Sequence, residues 1–96
     1  MKVRKKPIVV DAFHLTAASR SDTQEWPDWM HHAWQMPPSD PGALFCQVGV
    51  SNGPLFITTL EGTMRVEIGD WILRSIRGEL YPVKPLIFDE TYEQVL

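Results

Sequence analysis

Met64-Arg65-Val66-Glu67-Ile68-Gly69-Asp70-Trp71-Ile72-Leu73, continued after a short gap by Gly78-Glu79-Leu80-Tyr81-Pro82-Val83-Lys84, is the stretch whose reading decides the fold. Apolar and polar residues alternate along it, and the alternation breaks only at glycines. Successive side chains of an extended chain point to opposite faces, so the pattern predicts a β-ribbon with an apolar side on a core. Arg65, Glu67, Arg74 and Tyr81 then line a surface while their apolar neighbours fill the interior. Gly69-Asp70 and Arg77-Gly78 mark bends, each glycine permitting a positive φ that other residues resist.

Outward from the ribbon the chain divides into short elements. Leu55 to Leu60 reads as a strand, and Glu61-Gly62 as a tight hairpin into Thr63–Ile68. Phe45 to Val50 is a further strand, with Ser51-Asn52-Gly53-Pro54 as its turn. Near the start, Ile8 to Leu15 is rich in β-branched and aromatic residues behind Pro7, and its apolar residues on both faces predict a central strand. Thr16 to Asp22 has loop composition. Ser21 with Gln24 and Asp22 with Glu25 form overlapping capping-box patterns, predicting a helix from here to about Gln35 with Pro27 in its first turn. Trp26, Trp29, Met30, Ala33 and Trp34 recur at helical spacing and draw an apolar stripe.

Pro37-Pro38-Ser39-Asp40-Pro41-Gly42 is a connecting loop. Pro85 opens a brief helical turn with Phe88 and Tyr92 on one side, and Glu93 to Leu96 reads as a last strand. The expected architecture is α+β: one domain over residues 1–96, an antiparallel sheet of five or six strands, one main amphipathic helix, and a short C-terminal helical turn.

Ninety-six residues bury only about 60–65% of their extended-chain surface, so the core is modest. A second copy of the chain is a candidate partner on that ground, since a homodimer enlarges a small core. The net charge of -3 is uneven. Lys2, Arg4, Lys5 and Lys6 hold four of nine cations, leaving five cations against twelve anions, or -7, in the remainder. That balance argues against a broad nucleic-acid surface. Cys46 is the single cysteine, which excludes an internal disulfide and suits a reducing cytoplasm. No stretch approaches the roughly 20 apolar residues of a membrane span, so no membrane partner is expected.

No catalytic, metal or cofactor constellation stands out. His31 and His32 are sequence neighbours, about 100° apart on a helix, and do not grip one ion as an i, i+4 pair would. His14 with Cys46 would serve nucleophilic chemistry if adjacent strands joined them, although Cys46 reads as a structural thiol. Asp70 with Glu79 would serve as acid and base, against the plainer reading that Asp70 bonds its own turn and Glu79 pairs with Arg74 or Arg77. Arg65, Trp71, Arg74, Arg77, Tyr81 and Lys84 form the candidate ligand-facing set, because guanidinium forks and aromatic faces suit an anionic, nucleotide-like molecule. Cross-strand pairing of those cations with Glu61, Glu67 and Glu79 is the structural alternative. Trp26, Trp29 and Trp34 read first as core residues of the helix's apolar stripe, yet three indoles exceed what one helix face on a small sheet usually buries, which makes them candidate partner-binding residues with one indole partly exposed.

Lys5-Lys6-Pro7-Ile8-Val9-Val10-Asp11-Ala12, Gly69-Asp70-Trp71-Ile72, Gly78-Glu79-Leu80-Tyr81-Pro82 and Thr91-Tyr92-Glu93 resemble, in order and spacing, a family of small proteins encoded by tailed phages and bacterial prophages. The resemblance covers about half of the chain and leaves Thr16 to Leu55 outside. Ile68 stands where that family often has proline, and Val83 where it often has cysteine. The resemblance implies a phage origin and a fold, and it assigns no catalytic residue; with the lone cysteine, the expected location is the cytoplasm of a bacterial host. The resulting expectation is a non-enzymatic accessory protein that engages a host protein, with interference in host defence as its context. Sequestration of an anionic small molecule is the alternative, and a small hydrolase the third reading.

Overall fold

The computed structural model describes residues 1–46 and 53–95. Its strands are β1 (Asp11–His14), β2 (Leu44–Cys46), β3 (Leu55–Thr59), β4 (Gly62–Val66), β5 (Trp71–Arg74) and β6 (Leu80–Val83). Its α-helices are α1 (Ala17–Ser21), α2 (Asp28–Trp34) and α3 (Pro85–Thr91), with a 3₁₀ turn over Thr23–Glu25. The α+β class and the antiparallel pairing follow the sequence pattern. The strands, however, divide between two three-stranded sheets, ordered β1-β5-β6 and β2-β3-β4.

The crossing point is the turn over residues 67–70, which carries the chain from β4 in one sheet to β5 in the other. Gly69 sits there at φ 100°. β1 is an edge strand beside β5, not a central strand, and its ordered part is shorter than the apolar run: Ile8 and Val9 precede it and lie exposed. The β3–β4 hairpin turns on Leu60-Glu61, with Gly62 opening β4 opposite Thr59.

The helical region departs most from the sequence pattern. Thr16 caps α1 inside the expected loop: its hydroxyl accepts from the Ser19 N–H at 3.1 Å, and Ser19 Oγ accepts from the Thr16 N–H at 2.8 Å. This reciprocal box uses serine where glutamate or glutamine is usual. Asp22 caps only the 3₁₀ turn, through the Gln24 N–H at 3.0 Å. Pro27 then resets the chain as the residue before α2, since its missing N–H costs nothing at a helix start.

One core joins α2 to both sheets: Met30 and Ala33 meet Leu15, Leu44, Leu55, Ile57, Val66, Ile72 and Leu80. Period-2 alternation supplies its strand residues, with Leu55, Ile57, Val66 and Ile72 at most 1% exposed. Leu73 is also fully buried but lies outside that cluster. It points to the opposite face, with Trp71 and the cross-strand Tyr81. The β1-β5-β6 sheet is therefore covered on both sides. The expected last strand does not form over residues 93–95, which are exposed. Residues 47–50 of the expected strand, Ser51-Asn52 of its turn, and Leu96 lie outside the described residues.

Candidate functional site

Strand register scatters the six ribbon residues expected to face a ligand. Arg65 lies on β4 in the second sheet, Trp71 and Arg74 on β5, Tyr81 on β6, Arg77 in the β5–β6 turn, and Lys84 just beyond β6. Along β5, Trp71 and Arg74 point to opposite faces, so the set does not converge. Its charges are mostly paired locally. Arg74 lies 3.7 Å from Asp11, its register partner on β1, and Arg65 lies 3.7 Å from Glu67. Lys84 reaches Asp70 at 3.0 Å. Glu79 takes part in no ion pair among the described residues, and Arg77 is exposed in a turn held by the Ser75 hydroxyl.

Asp70 is 3% exposed, and its carboxylate accepts from the Glu67 N–H at 2.9 Å. It is thus occupied by its turn and by Lys84. Asp70 sits at the Lys84 end of the β5–β6 ribbon and Glu79 at the other, roughly 16 Å of strand away. They do not form an acid–base pair. His14 and Cys46 lie on strands of different sheets and are not strand neighbours. Among the described residues no three His, Cys, Asp or Glu side chains gather as a metal would require.

Trp71 is used by the protein's own rings. His14, its cross-strand neighbour, stacks at 4.5 Å and 11°, and Phe88 of α3 at 3.9 Å and 5°. The stack continues from Phe88 to Tyr92 at 5.3 Å, and the Lys5 ammonium lies 5.7 Å from the Tyr92 ring centre. Tyr81 and Tyr92 share a hydroxyl hydrogen bond at 3.4 Å. Burial, then that bond, then the electrostatic influence of Tyr92 push the Tyr81 phenol well above its ordinary range. Of the two rings in the predicted set, Trp71 is thus stacked within the protein and Tyr81 is engaged through its hydroxyl.

The three tryptophans near α2 separate into different roles. Trp26 is 4% exposed, and its indole N–H donates to the Ser19 carbonyl at 2.7 Å. It belongs to the core and leaves the partner-facing set. Trp29 packs against the core from a half-buried position. Trp34 is 41% exposed and meets Trp26 edge to face at 5.7 Å and 77°. Beyond the exposed Gln35, the half-buried Met36 and the exposed Pro37 and Pro38 place further apolar residues after the end of α2.

A cleft of about 450 Å³ opens beside the 67–70 turn. Leu15, Pro54, Leu55, Val66 and Ile68 form its apolar walls, and Arg20, Arg65 and Glu67 bring charge to it. Of these charged residues, sequence reasoning put only Arg65 in a ligand site. Arg20 was hidden in a segment with loop composition, and the one available signal was the weak Thr16-x-x-Ser19 cap.

No family model, curated protein or solved structure matches this chain. What the geometry itself defines is an α+β protein whose two three-stranded antiparallel sheets share one core with a short helix. No helix among the described residues is long and apolar enough to cross a membrane.

Proposed function

We propose that this chain is a non-enzymatic binding protein whose partner docks on the C-terminal end of α2, around Trp34. The observation that supports this reading is a large indole left 41% exposed yet braced edge-on by a buried tryptophan. An aromatic anchor fixed before binding loses little side-chain freedom on contact, and tryptophan is enriched among residues that dominate interface energies. Pro37 and Pro38 add rigid apolar surface after the end of α2. With the resemblance to phage-encoded proteins, the partner is a host protein, and interference with host defence is the context in which such binding acts.

Affinity capture from bacterial host cells, read by mass spectrometry, tests this with the wild-type chain beside Trp34→Ala. A specific host protein recovered by the wild type, and reduced about tenfold or more by Trp34→Ala, is the expected result. Equal recovery by a variant of unchanged fold overturns the assignment of Trp34. Trp26→Phe is the control that perturbs the core instead of the surface.

A further inference from the structure

The cleft beside the 67–70 turn carries a second inference, independent of the α2 reading. Arg20 fixes its guanidinium by donating from Nε and Nη2 to the Gly53 carbonyl, at 3.1 and 2.7 Å. A guanidinium has five N–H donors, and two are used here. The acceptor is a neutral carbonyl, and no carboxylate among the described residues pairs with Arg20. No buried side-chain nitrogen or oxygen among those residues lacks a partner, so the unpaired Nη1 of this half-buried arginine is open to solvent. Arg20 is therefore a cation held in place by a neutral acceptor, with no ion-pair partner among the described residues.

Arg65 adds a second guanidinium to the same cleft. Its contact with Glu67 is loose, at 3.7 Å with both side chains about three-fifths exposed, and is readily exchanged for a better acceptor. Among the described residues two cations face one carboxylate, which leaves that lining net positive within a protein of net charge -3. Among the described residues the other side chains of the lining are aliphatic, with no aromatic ring. A volume of about 450 Å³ lies in the range of small-molecule sites.

We propose that this cleft binds a small organic oxyanion, a phosphate or carboxylate head on an aliphatic body. The head engages the free edges of Arg20 and Arg65, displacing Glu67 from Arg65. The body lies along Pro54 and Ile68, over the buried Leu15 and Val66. The aliphatic walls set this apart from a nucleotide site, which needs a face for the base.

Two-dimensional ¹H–¹⁵N NMR titration of the full chain tests the proposal, with hexyl phosphate and hexanoate as probes, and inorganic phosphate and hexanol as their separate halves. Saturable shifts centred on Arg20, Arg65 and Ile68 are expected from one or both complete probes, which identifies the preferred head group. Each half alone binds more weakly. Arg65→Gln lowers affinity about tenfold, the worth of a charge-assisted hydrogen bond. Glu67→Gln raises it a few-fold by removing the competing carboxylate. Both side chains are mainly exposed, so both variants keep the fold. The proposal is overturned if neither probe gives saturable shifts at the cleft, or if affinity is the same in wild type and both variants.

Discussion

Asp70 shows how one side chain welds two sheets. Its buried carboxylate holds the Glu67 N–H and the Lys84 ammonium. On the backbone, the Leu15 N–H donates to the Asp70 carbonyl at 2.9 Å, and the Gly69 N–H to the Leu15 carbonyl at 2.7 Å. The turn that passes from β4 to β5 is thereby tied to the end of β1. Removing the carboxylate leaves the Glu67 N–H without its acceptor, so Asp70→Ala should cost about 2 kcal/mol in urea unfolding. Lys84 is 55% exposed, and Lys84→Met should cost no more than about 1 kcal/mol. If Asp70→Ala stays within about 0.5 kcal/mol of wild type, as ordinary surface changes do, the weld is not what holds the turn. The bond of Asp70 to its own turn was legible in the sequence, because an aspartate beside a glycine at a bend acts locally. Lys84 was not legible as its partner, since fourteen residues and a strand pairing separate the two.

At the scale of elements, α3 acts as the cover of the outer face of the β1-β5-β6 sheet. Pro85 starts it at a position where a missing N–H is harmless, and Phe88 lays its ring on Trp71. Beneath lies Leu73, fully buried although it is not part of the main core. Phe88→Ala should cost about 2–3 kcal/mol, less than a fully buried phenylalanine because the ring is half-buried. Amide hydrogen exchange at Leu73 should accelerate at the same time. Unchanged exchange there would mean that α3 contributes no cover. The spacing of Phe88 and Tyr92 was readable as one helical side, but their target on β5 was not. α2 is the reverse case. Its apolar stripe was clear, yet stripe membership did not separate the core role of Trp26 from the surface role of Trp34, because packing against the Ser19 carbonyl decides it.

For the whole molecule, the Tyr81 phenol couples stability to alkaline pH. Below an ordinary tyrosine value of about 10 the phenol is neutral in both folded and unfolded chains, so its ionisation has no effect. Above that, the unfolded chain loses the proton while burial and the Tyr92 hydroxyl keep the folded one protonated. The folded state then binds more protons, and stability falls as pH rises. Urea midpoints should decline from about pH 10 upward in the wild type, and less steeply in Tyr81→Phe. Equal slopes in the two proteins would show that Tyr81 is not the group responsible.

The sequence by itself determined what local periodicity and steric limits dictate. Alternation placed the ribbon strands, glycine placed the bends and Pro85 the start of α3, and together they defined an α+β chain of five or six antiparallel strands with helices. Only the tertiary structure decided that the strands divide into two sheets, that Asp70 takes Lys84 and Arg74 takes Asp11, that the ribbon cations scatter, and that Arg20 joins Arg65 at one cleft. The physical reason is that strand partners and charge partners are chosen by burial of one shared core, whose contacts join residues far apart in the chain. Short-range patterns record which face a side chain takes, but not what comes to lie against it.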